Sequence, residues 1–309
     1  MTARGAHALV TGGAGFIGHH LVRELLARGL DVTVLDNLST GDPARLPGGA
    51  RLVEGDVRDP DALSRALDGV SHVFHLAAVV TVRGSVDRFV EDADVNLLGT
   101  LQLLRAMEGR RIETATLASS MAVYGPCPDG EKLHESMCPA PIAPYGVSKL
   151  AAEKYWMLVA PRTGAATTVL RYFNTYGPGQ SVSPYVGVIT YFINLLRAGK
   201  APTIFGDGLQ RRDFVHVQDI VRATASTIGG GGHMRALNIG TGHGTTVLEI
   251  AEQLIARVAP DIRPVFEPER EGELREAIAD ISAASEALGY APSVPTPDLS
   301  DVIDAPARG

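Results

Sequence analysis

Apolar residues along this chain come in two rhythms that take turns. His7-Ala8-Leu9-Val10-Thr11 is a short continuous run of the kind a buried strand shows. Leu21, Val22, Leu25 and Leu26 then recur at helical spacing, up to a stop near Gly29. Further strands are predicted over Asp31 to Leu35 (running into Asp36), Arg51 to Glu54, Ser71 to Leu76, Arg111 to Ala118 and Ala166 to Leu170. A helical pattern fills about Val86 to Met107. Strands alternating with helices predict an α/β fold with a parallel, doubly wound sheet. Such a sheet binds its ligand at the carboxyl ends of the strands. Gly12, Asp36, Asp56, Ala77 and Ser120 all fall at such ends.

Past Leu170 the alternation breaks at Gly177-Pro178-Gly179. The pattern then predicts a helix over about Val188 to Arg197, a strand at Pro202 to Phe205, and a helix ending near Ile228. A strand at Arg235 to Ile239, a helix over roughly Val247 to Val258 and a Pro-rich end complete the chain. This predicts a smaller mixed α/β cap built from separate segments. Residues 1–173 plus about 213–240 would form the dinucleotide-binding unit, and about 174–212 plus 241–309 the cap.

Composition narrows the partners. The 28 basic and 35 acidic residues give a net charge of −7, and no basic block is longer than a pair such as Arg211-Arg212, which argues against nucleic acid. No apolar run approaches the ~20 residues of a membrane span. Met1 to Gly5 is too short and polar for a signal peptide. Cys127 and Cys138 read as two reduced thiols in a cytoplasmic protein. The nine scattered histidines predict no metal site.

The first strand runs directly into Gly12-Gly13-Ala14-Gly15-Phe16-Ile17-Gly18 and then a helix. Glycines there let the backbone turn and approach a pyrophosphate, and the helix N-terminus offers free N–H groups to it. Tight packing of strand on helix is the plainer reading of the same glycines. Asp36, 24 residues after Gly12, is placed to bond the adenosine ribose, selecting NAD over NADP. The polar loop Asn37-Leu38-Ser39-Thr40-Gly41 extends that site and carries no Arg for a 2′-phosphate, although Arg45 lies close behind it. Asp56 either accepts from the adenine amino group or caps a helix at Pro60. Leu76-Ala77-Ala78 is small enough to let a cofactor approach, and Asn96 inside a helix implies a specific hydrogen-bond partner.

The stretch from Ala118 to Lys149 carries the candidate chemistry. Ser120 ends an apolar run, and Tyr145 and Lys149 stand four apart just after Pro144. If Pro144 opens a helix, the phenol and the ammonium share one face. The cation would then draw the phenol below its reference pKa of about 10.

The Gly-rich turn, the Ser120/Tyr145/Lys149 set, Arg171-Tyr172-Phe173-Asn174 and Arg212-Asp213-Phe214 occur in this order along nearly the whole chain. Together they resemble the extended short-chain dehydrogenase/reductase family, specifically its NAD-dependent nucleotide-sugar epimerases and dehydratases. The resemblance implies a Rossmann unit with a substrate-binding cap. It implies Tyr145 as the base for a sugar hydroxyl, Lys149 on the nicotinamide ribose and Ser120 on the reacting oxygen, with Asn96 in support. Phe16, Ile17, Val57 and Tyr172 would lie along the cofactor. Asn174, Arg212 and Arg270 would contact the sugar-nucleotide diphosphate, and Val188, Thr203 and Phe205 would line the nucleoside pocket. Arg212 could instead pair with Asp213 or Asp219, and Arg270 with nearby acids.

The family's 4,6-dehydratases carry acids just after the Ser or Thr, where this chain has Met121 and Ala122. That departure favours C4 epimerisation of a UDP-sugar through a transient 4-keto sugar. A ketoreductase of the same family would exchange NADPH, against Asp36. A non-catalytic NAD-bound sensor would tend to lose the Tyr or Lys. UDP-glucose/UDP-galactose is the favoured substrate pair, ahead of UDP-glucuronate and UDP-GlcNAc. The loop at 180–184 has no cation for a uronate. The family commonly forms homodimers through two helices, which here would carry Asn96 and Tyr145.

Overall fold

The computed structural model describes residues 5–128, 130–180, 187–270, 274–294 and 297–304. The first half alternates as the apolar pattern predicts. Strand β1 (His7–Thr11), helix α1 (Phe16–Ala27), β2 (Asp31–Asp36), β3 (Ala50–Glu54), α2 (Pro60–Ala66) and β4 (His72–His75) come first. Then come α3 (Gly84–Asp87), α4 (Phe89–Ala93), α5 (Gly99–Met107), β5 (Thr114–Ser120), α6 (Pro144–Val159) and β6 (Ala166–Tyr172). The second half holds β7 (Asn174–Tyr176), α7 (Val188–Arg197), β8 (Thr203–Phe205), β9 (Arg211–Arg212), β10 (Phe214–His216), α8 (Val217–Ala225) and β11 (Arg235–Ile239). It closes with β12 (Thr245–Thr246), α9 (Val247–Val258), β13 (Val265–Glu267) and β14 (Glu276–Ala277), and then two short helices.

Seven strands form one parallel sheet in the order β11-β6-β5-β4-β1-β2-β3. β1 pairs with β2 on one side and β4 on the other, so the winding reverses there and leaves a crevice beyond Thr11. Both faces are covered, which is why β4 and most of β5 are continuously buried. Alternate β1 residues serve opposite layers. Leu9 joins Leu63, Leu103 and Trp156 from α2, α5 and α6, while Ala8 and Val10 join Leu21, Val22 and Val221 from α1 and α8. The cap is built from small pieces. β8 pairs with β13, β9 lies between β12 and β14, and β7 pairs with β10. Ile189, Phe192 and Ile193 of α7 pack with Ile250 and Leu254 of α9.

Two elements differ from the pattern. The long helix expected over 86–107 is broken at Arg88, whose φ of −122° and ψ of 40° leave the helical region. It also holds a π turn, Asp94–Leu98, centred on Asn96. A π turn inserts one residue and re-aims a side chain, a feature common at functional sites. The fifth strand starts at Thr114 and runs through Ser120, so the candidate hydroxyl belongs to the strand itself.

A buried ion pair joins α6 to the sheet. Arg171 Nε and Nη2 donate to Glu153 at 3.0 and 2.7 Å, and both side chains are about 5% exposed. Ser119 Oγ donates to the same carboxylate at 2.5 Å. Arg171 also donates to Tyr124 Oη, which donates to Asn238 of β11, each at 2.8 Å. Removing one member strands a buried charge, which costs about 3–5 kcal/mol. Glu153→Gln is therefore expected to lower unfolding stability by about that much in a urea titration. An unchanged midpoint would contradict the network's role.

Candidate active site

The crevice beyond β1 is a cradle that side chains would block. Gly12 has φ of +70°, and a Cβ there would lie 2.8 Å from the Ala77 nitrogen. A Cβ at Gly18 would lie 2.1 Å from the Gly12 carbonyl oxygen, so this helix can approach the turn only with glycine. Gly15 opens α1 without a capping side chain, and Phe16 and Ile17 form its first turn. Its first N–H groups suit an anion. Asp36 is nearly buried, and its two oxygens accept from Ala14 N and Leu38 N at 2.9 Å each. It thereby holds the Gly-rich turn against the loop after β2, and each oxygen keeps acceptor capacity for a ribose hydroxyl. Gly41 closes on it, since a Cβ there would lie 2.8 Å from Asp36 Oδ1.

Around this cradle the expected residues gather with distinct duties. Asn37 Nδ2 donates to Asp56 at 2.9 Å, and its Oδ1 accepts from Ser39 N and Oγ. Thr40 lies in the same bend. Asp56 does not cap α2; Asp59 does, accepting from Asp61 N, because it directly precedes Pro60. The Arg58 guanidinium grips Asp56 and holds its carboxyl far below the usual range, helped by Asn37. Val57 is buried beside it. The N–H groups of Leu76 and Ala77 both donate to Thr11 Oγ1 at 3.2 Å, and Ala78 comes next in the chain. The Tyr172 hydroxyl is committed to Thr224 at 2.7 Å, on the α8 side of the sheet. The Arg45 guanidinium is engaged elsewhere, donating to the Gly179 carbonyl at 2.8 Å and lying 3.5 Å from Asp42.

The candidate catalytic set lies at the ends of β5 and α6. Ser120 closes β5 and accepts from Ala122 N at 3.1 Å, and its hydroxyl draws the Tyr145 phenol down. Pro144 opens α6, and its N-terminus lacks a cap of its own; Ser85 Oγ of α3 accepts from Tyr145 N at 3.1 Å instead. Gly146 lets the helix touch the 121–122 backbone, since a Cβ there would lie 2.1 Å from the Ala122 oxygen. Neither Ser85 nor Gly146 stood out in the sequence. Tyr145 and Lys149 are 5% and 4% exposed. Burial pushes the phenol up to about 12, opposed by the Ser120 hydrogen bond and reinforced by Asp92. Burial likewise lowers the Lys149 ammonium to about 8, against the pull of Glu153 and Asp92. The expectation that Lys149 draws the phenol down is therefore not met, because burial penalises both charges. Among the described residues, none accepts a hydrogen bond from Lys149 Nζ, which suits a ribose hydroxyl. Asn96 is spent on protein partners: Oδ1 accepts from Val79 N at 2.8 Å, and Nδ2 donates to Val79 O and Asp92.

The substrate-side residues lie on the cap and its seam. Asn174 on β7 donates to the Asp213 carbonyl at 3.3 Å, and Arg212 on β9 donates to the Arg211 carbonyl at 3.0 Å. The Asp213 carboxylate instead accepts from Thr241, Gly242 and Ala279 backbone groups, and Asp219 pairs with Arg222. Val188 opens α7, and Thr203 and Phe205 bound β8. The Arg270 guanidinium lies 3.1 Å from the Phe205 ring centre, a cation–π contact. Residues 181–184 lie outside the described residues. Among the described residues, no cluster of His, Cys, Asp or Glu can hold a metal. No described helix is long and apolar enough to cross a membrane. Gly18→Ala should abolish retention of dinucleotide by the purified protein. Asp36→Ala should weaken NAD binding and erase its preference over NADP, read by calorimetry; an unchanged ratio would remove Asp36 from the ribose.

Known proteins resemble this chain over most of its length. Residues 8–240 match the model of the NAD dependent epimerase/dehydratase family. A crystal structure of UDP-glucose 4-epimerase with UDP-glucose from Thermotoga maritima is 38% identical, with a TM-score of 0.89, covering 93% of this chain and 94% of that one. The Thermus thermophilus UDP-glucose 4-epimerase in complex with NAD is 36% identical, with a TM-score of 0.86 and 96% of each chain covered. A UDP-N-acetylglucosamine 4-epimerase from Methanobrevibacter ruminantium is 32% identical, with a TM-score of 0.89, covering 97% of this chain and 96% of that one. With its glycine cradle, buried Asp36 and Ser120/Tyr145/Lys149 set, the chain belongs to the NAD-dependent epimerase/dehydratase family.

Proposed function

We propose that this chain is an NAD-dependent 4-epimerase of UDP-sugars, with UDP-glucose and UDP-galactose as its preferred pair. The observation that carries the reading is the buried Tyr145/Lys149 pair one turn apart on α6, with Ser120 at the end of β5 and Met121 and Ala122 where elimination would need a carboxyl. Bound NAD supplies the hydride acceptor and donor, and its oxidised ring adds a positive charge to the site. The chain's own residues handle the proton and the substrate. Ser120 orients the C4 oxygen, and Tyr145 takes its proton and later returns one. Lys149 holds the nicotinamide ribose and contributes the nearby positive charge. Arg212, Asn174 and Arg270 grip the diphosphate, with Val188, Thr203 and Phe205 around the nucleoside. Holding the nucleotide alone leaves the 4-keto sugar free to turn its other face.

In this reading the cofactor unit comprises 1–173 plus about 213–240, and the cap the remainder. The protein acts in the cytoplasm, where Cys127 and Cys138 remain free thiols, as the structure has them. It works as a homodimer. Phe89, Val90 and Leu98 on the α4 side and Val147, Tyr155 and Leu158 on α6 are large apolar residues at least 47% exposed, and such a patch calls for a partner.

Purified protein given UDP-glucose, UDP-glucuronate or UDP-GlcNAc should show the anomeric proton signal of the C4 epimer, strongest for UDP-glucose. No conversion of any of them with NAD bound would sink the reading. Tyr145→Phe should reduce turnover by about 10²–10⁴-fold while NAD stays bound. Leu158→Asp with Phe89→Asp should shift the light-scattering mass from dimer to monomer; an unmoved mass would exclude this face.

A further inference from the structure

Asp92 is a carboxylate 1% exposed that the mechanism above does not use. It lies on α4, four residues before Asn96, and faces α6. Ser148 Oγ donates to its Oδ1 at 2.5 Å, and Asn96 Nδ2 donates to its Oδ2 at 3.0 Å. Both donors are neutral. Ser148 immediately precedes Lys149 and also contacts the Tyr145 carbonyl at 3.0 Å, so the carboxylate is bound to the turn that carries both catalytic groups.

The other charges nearby are already engaged. Glu153 of α6 is taken by Arg171 and Ser119. His75, at the end of β4, is held neutral by burial between Thr11 and Thr100. Arg58 with Asp94, and Arg88 with Glu91, pair at the surface. Burial pushes the Asp92 carboxyl up, while the Ser148 hydrogen bond and then the Lys149 cation oppose that and favour the carboxylate; Asp92 acts in turn on both Lys149 and Tyr145.

We propose that Asp92 is a positioning residue for the Tyr145/Lys149 pair: through Ser148 it fixes the first turns of α6, and its buried negative charge keeps Lys149 an ammonium and Tyr145 a phenol until substrate and cofactor assemble. Burial drives Lys149 toward its neutral form, and a nearby carboxylate opposes that. The same charge disfavours the phenolate of Tyr145.

The bearing on catalysis rests on the epimerase reading, whereas the titration that tests it does not. Full-length protein carrying 13Cζ-tyrosine is titrated, with the Tyr145 signal identified by its loss in Tyr145→Phe. Asp92→Asn is expected to lower the Tyr145 midpoint by about one pH unit or more, since one charge contributes about one unit even at about 12 Å when the effective dielectric is about 20. The acid limb of the activity profile should move the same way, and Asp92→Glu, which keeps the charge, should restore both. An unmoved Tyr145 midpoint in Asp92→Asn overturns the proposal. Should that variant fail to fold, the 13Cγ shift of Asp92 in the parent protein decides. A carboxylate at pH 7.5 supports the proposal and a carboxylic acid overturns it. A protein that shows the midpoint shift but no turnover refutes the epimerase reading and leaves the Asp92 assignment standing.

Discussion

The site depends on how α6 is seated against the ends of β5 and β6. That helix turns Tyr145, Lys149 and Glu153 into the protein, and all three are nearly buried. Buried charges are costly unless each meets a partner. Glu153 meets Arg171 of β6, and the pair fixes the helix along the sheet. Gly146 brings its first turn into contact with the backbone after Ser120. Ser85 accepts the N–H of Tyr145, which no residue of the helix itself could do. The position of the phenol next to Ser120 results from these three contacts together.

The cofactor side obeys a different constraint, the absence of room. Gly12 and Gly18 are glycine because carbonyl and amide groups occupy the space a methyl would need. Asp36 then joins the two walls of the crevice by accepting one N–H from each. A residue read from sequence as a ribose ligand is also the brace that shapes the ribose site. Burial and Asp92 hold the Tyr145 phenol up to about 12.

Much of this was legible in the sequence, because the strand–glycine–helix–strand–acid order and the Tyr/Lys spacing are local patterns with direct structural meaning. The strands of the sheet and its order of alternation come from apolar periodicity. What escaped was long-range. The break at Arg88 and the π turn at Asn96 flank a segment packed against α6, a long-range contact that no local propensity encodes. Asp92 and Ser148 are 56 residues apart and meet only in the fold. A carboxylate four positions before a buried Asn on one helical face was the available signal. The cap was legible only in outline, since its strands are two or three residues long.

The central claim is that one site oxidises C4 of a UDP-sugar and returns the same hydrogen after the ring has turned, with Tyr145 moving the proton. The most direct measurement is conversion of UDP-glucose carrying deuterium at C4, in ordinary water, monitored by NMR. The account predicts UDP-galactose that retains deuterium at C4, with no net consumption of NAD. Product with the C4 deuterium exchanged for solvent hydrogen, or a stoichiometric accumulation of reduced cofactor, would contradict it.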